Sequence, residues 1–175
     1  RSRGLGDVYK RQMVAVGEKK YYFSAMFAAL TAYTDANNAD VPYESPSNKD
    51  LRITATVLKD GTTVALDQQQ ANDVLNANGV ITAINANGFK SWGNNTAAYP
   101  STTDPKDRWW AVRRFFDWDG NNFIQTYFQK VDKPGNKRLI QSIVDSQNII
   151  GNGYVARDYC AGYRVEFRSD ENPVT

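Results

Sequence analysis

A chain of 175 residues with 41% hydrophobic side chains is long enough to bury one core, so we expect a single globular domain. No apolar run reaches about eighteen residues, which excludes a helical membrane span, and the single Cys160 excludes an internal disulfide framework. The chain contains no histidine, so Ser/His/Asp triads, Cys/His pairs and histidine-ligated metals are excluded as well. Phosphate-binding loops are also missing. We therefore predict no catalytic residue, no metal and no cofactor.

Residues 1–12, RSRGLGDVYKRQ, resemble a translated sequencing adapter and show no hydrophobic period, so we exclude them from the predicted fold. They carry four basic residues and one acidic residue, and without them the net charge of +2 becomes about −1. The chain then lacks the basic excess typical of nucleic-acid-binding proteins. No secretory signal is recognisable, so we expect cytosolic synthesis and termini that were set by the sequencing read.

The first half of the chain predicts one helix and one hairpin. Residues 20–33 are apolar almost all round, which indicates a buried helix that stops at the polar residues TDANNAD. From 51 to 57 apolar and polar residues alternate, which predicts a half-buried strand. Asp60-Gly61 offers a turn, and residues 63–66 return as the hairpin partner. The buried face of the strand would carry Leu51, Ile53, Ala55 and Val57, and the opposite face Arg52, Thr54 and Thr56.

Residues 67–100 predict a short helix and a second hairpin. Asp67 is the expected N-cap, Gln70 completes a capping-box spacing, and Gly79 ends the helix. The β-branched run 80–84 and the segment FKSW at 89–92 then pair across the turn NANG. The following GNNTAAYP reads either as a binding loop or as a structural corner.

Two helices and a strand follow. Asp104 caps a helix with Pro105 in its first turn, and one helical phase continues through Gly120, which predicts a single long helix ended by Pro134 and Gly135. The residues in that phase are Trp109, Val112, Phe116, Phe123, Tyr127 and Val131.

The next predicted helix covers 137–150, with Asn136 as its cap and Gly151 at its end. Its inward residues would be Leu139, Ile140, Ile143, Val144 and Ile150. Residues 151–162 are then an exposed loop, and the alternation around Tyr163, Val165 and Phe167 predicts a final strand. This order of elements predicts an α+β fold with a mixed sheet and helices packed on one face.

Three groups of residues are candidates for function. Asp117 and Asp119 flank Trp118 and suit either a glycosidase pair or a solvated helix face. The aromatics of FKSW suit a monomeric binding module. A basic group, Lys130, Lys133, Lys137 and Arg138, surrounds the connection between the two helices and suits either ordinary helix-end charge or a docking patch for an acidic partner.

Five segments stand in order along the chain: ESPSNK (44–49), LNANGVITAINANGFKSWGNNTAAYP (75–100), KDRWWAVRRFFDW (106–118), FIQTYFQKVDKPGNKRLIQSIVDSQN (123–148) and GYVARDYCAGYRVEF (153–167). Together they resemble the tail sheath proteins of contractile-tailed bacteriophages. In that family a GV-T-I…GF--WGNRT hairpin precedes a VRR helix, a helix carrying I--IVDS-N, and an RVEF-like strand. The resemblance makes GNNTAAYP a structural corner. Asn95 stands where the family commonly has arginine, so any ion pair of that arginine is absent here.

The resemblance implies a structural, non-enzymatic role. Sheath subunits form stacked six-fold rings around a tail tube, between a baseplate and a tail terminator, and contract to drive the tube through the host envelope. Residues 13–60 would then end an upstream domain, and residues 61–175 would form the conserved C-terminal domain without its final strand and arm. The protein would be a virion component assembled in the host bacterial cytoplasm, without nucleic acid or a membrane span. The family's helical side faces the tube, so the basic group would contact acidic tube residues.

Overall fold

The computed structural model describes residues 12–171, in two compact units that cover residues 12–117 and 118–171. Residues 1–11, most of the segment attributed to a sequencing adapter, lie outside the described part, as do residues 172–175. Gln12 is buried in the first unit, where its backbone carbonyl accepts from the amide of Phe23 (2.9 Å) and its side-chain oxygen from the hydroxyl of Thr82 (2.9 Å).

The first unit begins with a three-stranded antiparallel sheet in the order β2-β1-β3. Its strands are β1 (Met13–Val16), β2 (Lys19–Tyr22) and β3 (Ala55–Val57). Gly17 has φ +62°, the left-handed conformation that a tight turn between β1 and β2 requires and that glycine adopts without strain. The sequence pattern predicted neither β1 nor β2, and the predicted helix 20–33 included the last three residues of β2.

The first helix, α1 (Phe23–Asn37), begins and ends later than the predicted 20–33. Of the polar residues expected to stop it, 34–37 are helical and 38–40 form a turn. The hydroxyl of Thr34 fits inside the helix by donating to the carbonyl of Leu30 one turn earlier (2.9 Å). The helix is not buried all round either, since Tyr33 remains 67% exposed.

The predicted strand 51–57 is shorter than expected, because only Ala55–Val57 pair in a sheet. Leu51 and Ile53 are buried as predicted, but Thr56 is buried too, and its hydroxyl donates to the carbonyl of Val64. The turn at Asp60-Gly61 is confirmed, with the amide of Gly61 bonded to the carbonyl of Leu58 (3.0 Å).

The short helix after Asp67 is confirmed at both ends but not in its interior. Asp67 and Gln70 form the complete capping box, and Gly79 ends the helix in the left-handed conformation (φ +68°). Between these caps, α2 (Gln68–Gln70) passes into a π-helical turn over Ala71–Leu75 and a 3₁₀ turn over Asn76–Asn78.

The second hairpin is confirmed. Strands β4 (Thr82–Asn85) and β5 (Phe89–Trp92) pair antiparallel, with Asn85 opposite Phe89. The loop that precedes β3 runs along the other edge of β5. The amide of Leu51 donates to the carbonyl of Phe89 (2.8 Å), and the amide of Ser91 donates to the carbonyl of Lys49 (2.9 Å). Ser91 is fully buried at this junction.

The long helix is confirmed, although it is preceded by a break. Asp104 caps α3 (Pro105–Arg108), Trp109 is extended (φ −88°, ψ 123°), and α4 (Trp110–Tyr127) then runs without interruption through Gly120. A 3₁₀ turn, Phe128–Lys130, completes it. Trp109 therefore lies outside the helical phase to which it was assigned, because it forms a β-bridge with Asn95.

The last helix, α5 (Lys137–Ala156), begins where predicted, and Asn136 caps it by accepting from the amide of Leu139 (2.9 Å). Its predicted end at Gly151 is wrong, because Gly151 lies inside the helix and its missing side chain makes room for the Tyr163 ring. The predicted final strand does not form within residues 12–171, where residues 162–168 pair with no other strand.

The α+β class is confirmed, and the described strand pairs are all antiparallel. The core of the first unit lies where the three-stranded sheet, the β4-β5 hairpin and α1 meet. It contains buried Val14, Phe23, Leu51, Ile53 and Ala83, with Met26, Phe27, Leu30, Ile81 and Phe89 packed against them.

Candidate functional site

The four residues of the basic group lie on one short connection in the second unit. Lys130 ends the 3₁₀ turn, Lys133 lies in the loop, and Lys137 and Arg138 are the first two residues of α5. All four side chains are exposed, and within residues 12–171 none of them forms an ion pair. Asp132 is the acid among them, so residues 130–138 carry a net charge of +3.

Local electrostatics account for only half of this group. Lys130 and Lys133 follow the C-terminal end of α4, where the helix dipole favours a cation. Lys137 and Arg138 occupy the N-terminal end of α5, where the dipole favours an acid, and the first turn of α5 contains none. Their positive charges therefore lie against the local field, and helix stability does not explain them.

Large apolar side chains lie exposed beside the basic group. Phe128 (68% exposed) and Val131 (60%) flank Lys130 in sequence, and Ile124 lies one turn before Phe128 on α4. Val112, Phe116 and Val131, which the helical phase predicted to be core residues, are among the exposed ones, whereas Phe123 and Tyr127 are half-buried. Periodicity identifies the apolar face of a helix but cannot identify what covers it. An exposed apolar surface with a charged rim is typical of a protein-protein interface.

The two acids considered for a glycosidase have separate structural partners. Asp117 forms an ion pair with Arg113 (2.9 Å), one helical turn earlier on the exposed face of α4. Asp119 accepts from the phenol of Tyr163 (2.8 Å) and from the side-chain amide of Gln147 (3.3 Å). Burial and the nearby Asp119 raise the pKa of Tyr163 to about 12, so this phenol stays protonated and keeps donating at neutral pH. The structure does not bring the two carboxylates together as a pair.

The GNNTAAYP segment is a corner that starts α4. The carbonyl of Asn94 accepts from the amide of Trp110 (2.7 Å), and its side-chain oxygen accepts from the amide of Ala111 (3.1 Å). Asn94 thus satisfies two of the four amides that a helix leaves unpaired at its N-terminus. It does so although it lies sixteen positions before Trp110, the first residue of α4. The neighbouring Asn95 is buried, and its side chain bonds to the carbonyl of Asn76 and to the guanidinium of Arg108.

The aromatics of FKSW also serve the fold. Phe89 packs against the core of the first unit, and the indole nitrogen of Trp92 donates to the side chain of Asn72 (2.8 Å). Within residues 12–171, no helix is both long enough and apolar enough to cross a membrane.

Sequence comparison finds two phage proteins that match this arrangement of elements. The tail sheath protein of Burkholderia phage BcepMu is 30% identical over 152 residues, which cover 86% of this chain and 31% of that protein. The predicted resemblance to tail sheath proteins is confirmed. The tail sheath protein of Escherichia phage P2 is 32% identical over 93 residues, which cover 50% of this chain and 22% of that protein. The chain thus spans about a third or less of these sheath proteins, and no family model matches it.

Solved sheath structures share the fold. The contracted helical sheath of the anti-feeding prophage matches 88% of this chain with a TM-score of 0.64 at 20% identity. The match covers 41% of that sheath chain. The PVC sheath complex, from an extracellular contractile injection system in the contracted state, matches 89% of this chain with a TM-score of 0.69 at 14% identity. The match covers 42% of that sheath chain. The predicted sheath fold is therefore present in this chain.

Proposed function

We propose that this chain is part of a structural subunit of a contractile tail sheath. The observation that carries the proposal is the match over 86% of the chain to a phage tail sheath protein. The shared fold with contracted sheaths supports it independently of sequence identity. The subunit would polymerise as stacked six-fold rings around a tail tube, bind a baseplate and a tail terminator, and contract to drive the tube through the host envelope. It would act in the virion after assembly in the host cytoplasm, without turnover of a substrate.

Electron microscopy tests the assembly directly. The protein is expressed alone from the reading frame that contains this chain and is imaged in negative stain at several salt concentrations. Hollow ringed tubes or striated sleeves are expected. Discrete monomers at every salt concentration would contradict the sheath function.

The basic group is proposed to contact the tail tube. All four cations are exposed, and Lys137 and Arg138 lie where the helix dipole disfavours them. Both observations support a role in binding rather than in stabilising the fold. The neighbouring exposed Phe128 and Val131 would provide the apolar part of the same contact. Acidic side chains on the tube are the complementary partner, because opposite charges accelerate encounter and fix register.

Charge reversal separates this contact from the fold. Lys137→Glu with Arg138→Glu places two acids where the α5 dipole favours them, so the stability of the subunit should stay the same or rise slightly. Binding to purified tubes should be lost in the same variant, as it should after reversal of all four cations. Lys59→Glu with Lys106→Glu, at exposed lysines of the first unit, is the matched control and should bind normally. Normal tube binding by the reversed subunit would exclude the proposed contact.

Strand addition between neighbouring subunits is also proposed. The supporting feature is the segment 162–168, which alternates in sequence as a strand but pairs with no other strand within residues 12–171. An extended segment of another subunit could pair with it and add a strand, which would keep neighbouring rings connected.

A further inference from the structure

Arg108 is a half-buried arginine that has no carboxylate partner within residues 12–171. The described part of the chain contains one other half-buried arginine, Arg114, and its guanidinium pairs with the carboxylate of Asp35 (3.1 Å from Nη1). The remaining arginines there are exposed. A charged side chain that is partly withdrawn from water normally has a charged partner. The surroundings of Arg108 therefore require an explanation.

Two aromatic rings and one amide oxygen hold the guanidinium of Arg108. Its central carbon lies 4.4 Å from the centre of the Tyr99 ring and 4.3 Å from the centre of the Trp109 ring. At these distances a cation is attracted to an aromatic face. The Nε group of Arg108 donates to the side-chain oxygen of the buried Asn95 (3.2 Å). Together these contacts use only one of the five N–H groups of the guanidinium.

The backbone around Arg108 is fixed as well. The amide of Thr96 donates to the carbonyl of Arg108 (2.7 Å), and Trp109 forms a β-bridge with Asn95. The extended conformation of Trp109 interrupts the helical chain between α3 and α4. In a continuous helix, neighbouring side chains point about 100° away from each other. The interruption therefore allows the Trp109 ring to lie beside the guanidinium of the residue before it.

The outer end of this guanidinium is available to a ligand. Neither Nη1 nor Nη2 of Arg108 has a hydrogen-bond partner in the part of the chain that the structure describes, and neither atom is buried. The parallel N–H groups of a guanidinium match the two oxygens of a carboxylate. A side chain that is held before binding loses little rotamer entropy when its ligand arrives. Arg108 thus has the chemistry and the support of a carboxylate receptor.

We propose that Arg108 binds an aspartate or glutamate side chain of a second copy of this chain. The inference rests on the proposed sheath function, in which every subunit contacts identical copies, and it assigns a residue to that contact. The chain itself carries suitable partners. Exposed acids such as Asp40, Asp73 and Asp158 form no ion pair within residues 12–171.

The critical concentration for sleeve formation tests the receptor in the subunit expressed from the full reading frame. Arg108→Lys keeps the charge but loses the planar fork, so the critical concentration should rise roughly tenfold or more. Arg108→Gln should raise it at least as much. Arg52→Lys and Arg52→Gln are the matched controls, at an exposed arginine of the same unit that forms no ion pair there. Both controls should assemble like wild type.

Substitution of Tyr99 tests whether the rings position the guanidinium. Tyr99→Phe keeps the aromatic face and should leave the critical concentration unchanged. Tyr99→Leu removes that face and should raise the critical concentration by less than Arg108→Lys does, roughly threefold. Urea denaturation of each unassembled variant separates a loss of assembly from a loss of folding.

Electron cryo-microscopy of wild-type sleeves tests the contact without any substitution. A carboxylate of a neighbouring copy is expected within about 3 Å of Nη1 or Nη2 of Arg108. Sleeves in which no such carboxylate is present would overturn the inference and leave the sheath function intact.

Three other results would also overturn the inference. A wild-type critical concentration in folded Arg108→Lys would show that no copy binds the fork. Normal sleeves with lost binding to purified tubes would assign the fork to a tube carboxylate instead of a second copy. A wild-type subunit that never polymerises would overturn the proposed function, and this contact with it.

Discussion

The buried residues of 12–117 are mostly aliphatic, whereas the buried residues of 118–171 are Gln147, Gly151 and Tyr154. The first unit has an aliphatic core of its own, although Tyr33 and Phe116 stay more than half exposed. In the second unit, apolar side chains such as Ile124, Phe128 and Ile149 are more than half exposed, and polar groups and rings connect the helices. The ring of Tyr154 packs at a tilt against Trp118 and meets Tyr163 edge-on, at centroid distances of 5.4 and 5.8 Å.

This difference separates folding from assembly. A unit that buries its apolar surface internally gains its stability from the hydrophobic effect. A unit that leaves apolar side chains outside and uses hydrogen bonds inside gains less from folding and keeps that surface for other chains. Four substitutions would break or sharpen this comparison.

The largest effect is expected in the core of the first unit. Leu51→Ala removes a buried side chain that packs with Val14 and Ile53, and should lower the free energy of unfolding by about 2–5 kcal/mol. Ile149→Ala, at a position 72% exposed in the second unit, should change it by less than about 0.5 kcal/mol. Urea denaturation of both variants measures the difference. Equal losses would mean that Ile149 is buried in the folded subunit.

Gly151→Ala should cost about 1–3 kcal/mol, because a methyl group there overlaps the ring of Tyr163 and displaces its phenol from Asp119. Gly153→Ala is the matched control on the same helix. It has open space around the new methyl group and should gain up to about 1 kcal/mol from helix propensity. Thermal denaturation followed by circular dichroism compares the two, and a stabilising Gly151→Ala would show that Tyr163 does not pack on α5.

Asn94→Ala should destabilise the first unit by about 1 kcal/mol, since it removes the side-chain acceptor of the Ala111 amide and keeps the backbone acceptor of Trp110. Asn121→Ala, on the exposed middle of α4, should be neutral or slightly stabilising. Chemical denaturation at neutral pH distinguishes the two asparagines. If Asn94→Ala left the free energy of unfolding unchanged, the side chain of Asn94 would not help to start α4.

The smallest effect is expected at alkaline pH. The pKa of Tyr163 is raised to about 12 in the folded state, against about 10 in an unfolded chain, so folding favours the neutral phenol. Its contribution to stability is complete below about pH 10 and is lost as pH rises towards about 12. Wild type should therefore lose stability relative to Tyr163→Phe across that range, as measured by urea denaturation at several pH values. A pH-independent difference would mean that the phenol is not held by Asp119.

Local signals in the sequence predicted the N-terminal ends of three helices well. The caps at Asp67, Asp104 and Asn136 each bond within three residues of themselves, so residue type and spacing suffice to find them. The caps that sequence reasoning missed bond across long stretches of chain. Asn94 bonds to the start of a helix sixteen residues away, and Asn148 bonds to both backbone groups of Val165, seventeen residues away. Neither spacing has a local signature.

The apolar pattern predicted helices but not their surroundings. One helical phase correctly predicted a continuous α4, yet it assigned Phe116 and Val131 to a core that the described chain does not provide. The resemblance to sheath proteins, rather than periodicity, indicated that other subunits exist to cover such residues. The tube contact of Lys130, Lys133, Lys137 and Arg138 stays a prediction, because neither the fold nor the relatives test it.

The two cations at the start of α5 set a limit on engineering this protein for thermal stability. Optimising surface charge alone would replace Lys137 and Arg138 with acids, since that change improves the helix by itself. The resulting subunit would melt at a higher temperature and would lack the charges proposed to hold the tube. A stabilised sheath for use as a delivery particle should therefore be optimised at other surface positions, with the first turn of α5 left unchanged.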